Sequence, residues 1–143
     1  MVTKSIKWQK NSFRKETRIK SLFTEMSYLK FCMGFIQSGK GSEGLKRDFY
    51  NHLKQLDILE TFCETDNYQD FIQGVQEIDV SEFLNGFLYY GLDEIFGENN
   101  YKLESELVED GSFNPSEKVH ISYKNENGKW CVYTEVFNFG MVY

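Results

Sequence analysis

The apolar residues of this 143-residue chain change their spacing near residue 100, and this change constrains the fold more than any other feature of the sequence. Before that point they recur every three or four residues, which is the period of one face of an α-helix. After it they alternate with polar residues, which is the period of a strand with one buried face. Helices followed by strands predict an α+β domain, in which a small antiparallel sheet packs against the preceding helices.

Three to four helices are predicted in the N-terminal part. Apolar spacing and capping patterns place them after residue 12 to about 38, then over about 44–64, 67–75 and 81–96. Residues 1–12 are basic, and we expect them to form a loosely packed lead-in to the first helix. On the second helix Asp57, Glu60 and Glu64 are predicted to share one flank.

Three strands are predicted in the C-terminal part, over 101–107, 119–124 and 130–137. Asn127-Gly128 separates the last two strands and is a strong signal for a tight hairpin. The resulting fold is a three-stranded antiparallel meander. Aromatic residues on both faces of the last strand predict that this strand is central or covered on both sides. A sheet of three strands also leaves an edge that a partner can extend by adding a strand.

Length and composition fit a single domain spanning residues 1–143, since 41% of the residues are hydrophobic. No apolar run approaches the ~18 residues of a membrane-spanning helix. No apolar stretch of a secretory signal follows the N-terminal basic residues. The three cysteines are odd in number and far apart, as in reduced intracellular proteins. We therefore expect a cytoplasmic protein that does not bind membranes.

Charge is unevenly distributed along the chain, whose formal net charge is −6. The first thirty residues contain eight basic and two acidic residues, whereas 57–110 contains fifteen carboxylates and one cation, Lys102. The negative electrostatic field of residues 57–110 repels nucleic acid and attracts a basic protein. The sequence therefore predicts a basic protein partner and no direct contact with nucleic acid.

The sequence contains partial matches to nucleotide-binding and metal-binding motifs, but the residues around them do not fit these motifs. Residues 39–44 read G-x-G-x-x-G, but a predicted helix precedes them where the dinucleotide fingerprint needs a strand. Residues 34–40 nearly match a phosphate-binding loop, but Gly41 follows the lysine where that loop needs a Ser or Thr to hold magnesium. Residues 66–71 begin like a calcium loop but carry Tyr68 at the third position and Phe71 at the sixth. We expect no metal and no cofactor.

No catalytic arrangement is recognisable in the sequence. His52 falls on the apolar stripe of the second helix, which predicts a core histidine. His120 lies on a predicted strand, and a strand position also accounts for Cys131. Neither histidine is paired with a nucleophile, so we expect a protein that is not an enzyme.

Aromatic residues interleave with the acidic stretch. Helical phase places Tyr89 on the solvent face of the fourth helix, between Glu82 and Asp93. Tyrosine combines a large rigid surface with a hydrogen-bonding tip, and surrounding carboxylates steer a cationic partner. The predicted partner-binding residues are Asp57, Glu60, Glu64, Tyr68, Asp70, Glu82, Tyr89, Tyr90 and Asp93.

A small, acidic, single-domain chain with this usage of Tyr, Asp and Glu resembles bacterial immunity proteins as a class, without a shared motif. The resemblance implies an inhibitor that binds a basic bacterial nuclease toxin stoichiometrically and blocks its active-site groove. The chain is similar in the same way to phage-encoded inhibitors that mimic nucleic acid.

Two further readings stay open. Helices followed by strands that close on Gly128-Lys-Trp-Cys-Val132 are similar to the closing strands of nuclear-transport-factor-like proteins. That similarity implies a small α+β domain with a ligand pocket. The basic N-terminus is compatible with a nucleic-acid-binding arm, or with cations that pair with the protein's own carboxylates.

Overall fold

The computed structural model describes residues 15–64, 66–108, 111 and 116–139, and there it confirms the predicted α+β class, with helices first and the sheet last. The predicted lead-in, residues 1–12, lies outside the described residues. The four α-helices are α1 (Lys15–Gln37), α2 (Glu43–Leu56), α3 (Tyr68–Glu77) and α4 (Val80–Phe96). A 3₁₀ turn (Leu59–Thr61) follows α2, and the strands are β1 (Tyr101–Leu107), β2 (Glu117–Lys124) and β3 (Trp130–Phe137).

The sheet is the predicted antiparallel meander, in the order β1-β2-β3. Ile121 of β2 lies opposite Leu103 of β1 and Tyr133 of β3. The β2–β3 turn closes with a hydrogen bond of 2.8 Å from the Asn125 N–H to the Lys129 carbonyl. Gly128 has a φ of 78° in this turn, a left-handed conformation that glycine adopts without strain. The predicted hairpin at Asn127-Gly128 is therefore confirmed.

Helix α1 is the centre of the core. Its predicted apolar stripe is fully buried and consists of Ile19, Leu22, Met26, Leu29, Met33 and Ile36. Helix α4 packs closely on α1 at Gly91, because a β-carbon there would collide with the side chain of Leu22. The sheet covers another side of α1, with the ring of Phe23 5.7 Å from that of Phe137. The inner face of the sheet is thereby filled by helix side chains.

The prediction that α2 continues to Glu64 is wrong. The helix ends at Leu56, because Asp57 adopts a left-handed conformation with φ of 62°. The chain then turns through the 3₁₀ helix, which directs Leu59 and Phe62 into the core. The buried side chains of α2 are Phe49, Tyr50, Leu53 and Leu56, and the predicted core residue His52 is only half-buried.

The prediction that the last strand is central or covered on both sides is also wrong for the described part of the chain. β3 is an edge strand, paired with β2 on one side. Its inner face buries Tyr133 and Phe137 against the helices. Its outer face leaves Trp130, Val132 and Val136 more than half exposed. Aromatic content alone did not distinguish a covered face from an exposed one.

Candidate partner-binding groove

A groove of about 500 Å³ runs between the 3₁₀ turn, the α3–α4 turn and one face of α4. We call it the acidic groove; it is lined by Ile58, Glu60, Ile78, Asp79, Glu82, Phe83, Gly86, Phe87 and Tyr90. Three of these nine residues are carboxylates and three are aromatic. None of the nine, all within the described part of the chain, is lysine, arginine or histidine. The groove therefore combines an acidic rim with an apolar floor.

The start of α4 fixes two of the rim carboxylates. Asp79 is the N-cap of the helix, and its side chain accepts a hydrogen bond of 3.1 Å from the backbone N–H of Glu82. Glu82 lies in the first turn, where the helix dipole favours negative charge. Both carboxylates are thus held at the groove by the same local structure that begins the helix.

None of the rim carboxylates forms an ion pair within the described part of the chain, although Lys54 lines an adjoining cavity together with Glu60. The ion pairs of the described residues involve Glu16, Glu25, Glu43 and Glu106, and none of the groove residues. Burial raises the pKa of Tyr90, and the negative charges of Glu94, Asp57 and Glu60 raise it further. The hydroxyl of Tyr90 therefore stays a neutral hydrogen-bond donor in a negative environment.

A row of aromatic rings forms the floor of the groove. The ring centroids of Phe83 and Phe87 are 6.1 Å apart, and those of Phe87 and Tyr90 are 6.2 Å apart. Phe62 extends the row, with its ring 5.1 Å from that of Phe83. Gly86 lies at the middle of this floor, and a β-carbon built there would meet no atom within 4 Å. The missing side chain leaves room above the rings for an inserted group.

Three of the nine predicted partner-binding residues line this groove, namely Glu60, Glu82 and Tyr90. Asp57 and Glu64 lie beside it in a smaller cavity of about 240 Å³, which Glu60 also lines. The three carboxylates therefore converge, although not on the flank of one helix as predicted. The left-handed Asp57 and the 3₁₀ turn bring them together instead.

Tyr68 and Asp70 lie away from the acidic groove, in the first turn of α3. The guanidinium of Arg47 lies 3.7 Å from the ring centroid of Tyr68. The Tyr68 hydroxyl donates a hydrogen bond of 3.0 Å to Glu43. Side chains of α2 therefore already make the contacts with Tyr68 that a partner's side chains would make.

Tyr89 and Asp93 lie on a neighbouring face of α4. Tyr89 is 50% exposed, as its helical phase predicts. Asp93 accepts a hydrogen bond of 2.7 Å from the hydroxyl of Tyr101, the first residue of β1. Neither residue lines the acidic groove, so the predicted set divides among the groove, the adjoining cavity of Asp57 and Glu64, the first turn of α3 and this second face of α4.

Sequence reasoning missed most of the apolar part of the groove. Phe83 and Phe87 lie in the predicted fourth helix but not in the predicted partner-binding set, yet both line the groove. Asp79, which precedes that helix, is also absent from the predicted set. One available signal was Gly86, since a glycine in a helix interior destabilises it by about 0.5–1 kcal/mol relative to alanine. At this position of α4 the glycine leaves open space beside the groove.

Each histidine contacts a side chain of a neighbouring element. His52 Nε2 lies 2.5 Å from Glu25 Oε2, which joins α2 to α1. His120 Nδ1 lies 2.9 Å from the Thr134 hydroxyl on the outer face of the sheet. Within the described residues, no group of three or more His, Cys, Asp or Glu side chains is arranged to hold a metal ion.

Comparison of the chain with protein-family models, with curated proteins and with solved structures found no match in any of the three. In the part of the chain that the structure describes, no helix is both long and apolar enough to cross a membrane.

Proposed function

We propose that this chain is an acidic protein-binding domain that captures a basic protein in the acidic groove. The observation that carries the proposal is the composition of the groove, in which Glu60, Asp79 and Glu82 surround a floor of aromatic rings and no cation is present among the lining residues. Unpaired carboxylates beside apolar surface are complementary to lysine and arginine side chains, whose stems are apolar and whose ends are charged.

The groove offers separate contacts to the two parts of such a side chain. Its aliphatic stem packs over Phe83 and Phe87, where Gly86 leaves space. Its charged end reaches the rim carboxylates, and a guanidinium can also lie over the ring of Tyr90. A cation–π contact of this kind contributes about 0.5–2 kcal/mol, more than a typical exposed ion pair. The surrounding carboxylates of residues 57–110 increase the rate of encounter with a basic surface.

We propose that the chain acts in the cell as a bacterial, cytoplasmic immunity protein that neutralises a basic nuclease toxin. A nuclease surrounds its active site with cations because its substrate is a polyanion. An acidic groove with aromatic residues presents negative charges and flat rings to such a site, as nucleic acid does. Binding there would exclude the substrate by occlusion, and the inhibitor would act stoichiometrically.

Binding is tested first with a short synthetic peptide of alternating arginine and leucine, followed by amide NMR of the isotope-labelled full chain. We expect the largest shifts at residues 58–60, at 78–79 and along α4 from Glu82 to Tyr90. The peptide with glutamate in place of arginine should leave these amides unchanged. Shifts confined to the faces of Tyr68 or Tyr89, or no shifts at all, would contradict the groove assignment.

A matched pair of variants separates the groove from general effects on α4. Gly86→Leu places a neutral, helix-favouring side chain on the open floor and should abolish binding. Asn85→Leu is the control, since Asn85 is exposed on the adjacent position of the same helix and does not line the groove. The double variant Glu60→Lys with Glu82→Lys should weaken binding at least about 100-fold by reversing two rim charges.

The inhibitor form is tested in cells by co-expression with a panel of basic bacterial nuclease toxin domains. Rescue of growth by the native chain and by Asn85→Leu, but not by Gly86→Leu, is the expected result. If the peptide binds but no toxin is neutralised, the domain binds basic proteins without being an immunity protein. Rescue that persists in Gly86→Leu would show that inhibition uses another surface.

A further inference from the structure

Within the described part of the chain, the outer edge of β3 is unpaired and has few of the features that usually protect an edge strand; its one charged side chain, Glu135, faces inward. Natural edges carry outward charges, proline or a bulge that prevents pairing with another chain. β1, at the opposite edge of the sheet, has the charged residues Lys102, Glu104 and Glu106 on its outer face. The outer face of β3 carries Trp130, Val132, Thr134 and Val136, none of which is charged. The strand contains eight residues and no proline.

The exposed apolar surface continues from this edge onto α1. Phe31 of α1 is 52% exposed, and its ring lies 4.5 Å from that of the half-exposed Phe35. These rings line a cleft of about 490 Å³ whose other wall is Val136, Phe137 and Asn138, at the end of β3. We call it the edge cleft. It lies at one end of the strand. Trp130, 55% exposed, lies at the other end, where the Nζ atoms of Lys102 and Lys124 are each 5.6 Å from its ring centroid.

We propose that two copies of this chain associate through their β3 edges, as antiparallel strands related by a twofold axis at Thr134. Trp130 and Asn138 are each four residues from Thr134, so this pairing places the partner's Trp130 opposite Asn138 and diagonal to Val136, on the outer face of the joined sheet. Each copy then supplies both Trp130 and Val136 to that face, which is the self-complementarity that a twofold interface requires. The two three-stranded sheets become one sheet of six strands.

The register of this pairing is compatible with the side chains on both faces. Directly opposite residues of an antiparallel pair point to the same face, so outer residues must meet outer residues. A twofold axis at Thr134 pairs Val132 with the partner's Val136. On the inner face it pairs Tyr133 with the partner's Glu135, so no two like charges are opposed. Along β3, this register therefore matches outer residues with outer residues and opposes no two like charges.

The self-association is separate from the acidic groove. The residues of β3 and the edge cleft do not overlap with those that line the acidic groove. A dimer therefore leaves both acidic grooves available, and the two proposals stand or fall independently.

Sedimentation equilibrium of the full chain tests the association up to about 1 mM, where even a dimer with a Kd of about 1 mM is populated. We expect a monomer–dimer equilibrium that Val132→Lys and Val136→Lys each abolish, since lysine on an edge strand opposes pairing. Leu107→Lys is the matched control, because Leu107 is an exposed apolar residue at the end of the opposite edge strand. Trp130→Ala should weaken the dimer at least about 10-fold, as expected for an anchor residue.

Amide hydrogen exchange locates the interface independently of the variants. Amides of β3 should become more protected as the concentration rises, whereas those of β1 should not change. A chain that stays monomeric over the whole range overturns the proposal and leaves the edge to a strand from a different protein. A dimer that persists in Val132→Lys and Val136→Lys overturns it as well, because its interface must then lie elsewhere.

Discussion

The acidic groove and the edge of β3 are two exposed aromatic surfaces of one small domain, but they differ in charge. The acidic groove surrounds its rings with Glu60, Asp79 and Glu82. The edge cleft has Lys30 and Lys40 in its lining and no carboxylate, and the outer face of β3 is uncharged. Aromatic content alone therefore does not determine what a surface binds. The charges around the rings select a cationic partner for the first, whereas apolar contact and backbone pairing govern the second.

The two surfaces also depend on different parts of the fold. One wall of the acidic groove is the irregular segment 57–62, which is held in place by tertiary contacts. The edge of β3 is part of a regular sheet, hydrogen-bonded to β2 along its length. Perturbing the irregular segment 57–62 should therefore weaken binding at the acidic groove and leave association through β3 unchanged.

Gly74→Ala is expected to produce the largest effect of this kind. Helix α3 approaches the 3₁₀ turn so closely at Gly74 that a β-carbon there would collide with the carbonyl oxygen of Phe62. Because the obstacle is backbone, relief requires the groove wall to move, and we expect a loss of about 2–3 kcal/mol in the free energy of unfolding. Urea denaturation measures this loss, and the arginine–leucine peptide should bind the variant poorly.

Gly86→Ala is the matched control for that change. It adds the same methyl group to a helix interior, but into open space. We expect it to stabilise the protein by about 0.5–1 kcal/mol. Equal effects of the two substitutions would mean that the approach of α3 to Phe62 does not hold the groove wall.

Salt should separate the two surfaces more directly. Raising sodium chloride from about 0.05 M to about 0.5 M shortens the Debye length to below about 5 Å. Binding of the basic peptide to the acidic groove should weaken at least about 10-fold over this range, since exposed charges dominate it. Association through β3 should weaken by less than about 2-fold, because its contacts are apolar and backbone hydrogen bonds. Calorimetry and sedimentation measure the two constants, and a salt-insensitive peptide would contradict the electrostatic argument.

Each region contains its own cysteine, which gives a smaller but local readout. Cys63 lies beside the acidic groove, in the cavity that Glu60 shares, and Cys131 lies on β3. We expect the basic peptide to slow labelling of Cys63 several-fold and dimer formation to slow labelling of Cys131. Mass spectrometry after brief alkylation distinguishes the two sites. Protection of both cysteines by the peptide would show that the two surfaces are coupled.

Cys32 is the internal reference for that experiment. It is buried in α1, and burial raises the pKa of its thiol to about 11. Little reactive thiolate is present at neutral pH, so Cys32 should label only on unfolding. Because the folded-state pKa exceeds the ordinary value of 9.0, the neutral thiol stabilises the fold below about pH 9. That contribution should be lost as the pH rises toward 11, which a pH series of thermal unfolding would detect.

The sequence was sufficient to predict regular elements whose periodicity is local. The stripe from Ile19 to Ile36 places α1 in the core because each residue lies one helical turn from the next. Asn127-Gly128 predicted the β2–β3 hairpin because the turn depends on its own residues. The end of α2 was not predictable in this way. Asp57 adopts a left-handed conformation and Leu59 reaches the core only through contacts with distant residues.

The acidic and aromatic character of the groove was predictable from the sequence, but the residues that line it were not. Its walls come from residues 58–60, 78–79 and α4, which the fold alone brings together. Acidic and aromatic composition placed Glu60, Glu82 and Tyr90 in the predicted set, and all three line this groove. The same composition included Tyr68, whose contacts lie within the protein.

Arg47→Met should give the smallest effect and decides the role of Tyr68. Arg47 covers the ring of Tyr68 on an exposed surface, so its removal should lower stability by only about 0.5–1 kcal/mol. If Tyr68 is a structural residue, binding of the basic peptide should be unchanged, because the acidic groove is untouched. If binding strengthens instead, Arg47 occupies from within the protein a position that a partner's cation can take. The binding surface would then extend beyond the groove to the first turn of α3, as the sequence predicted.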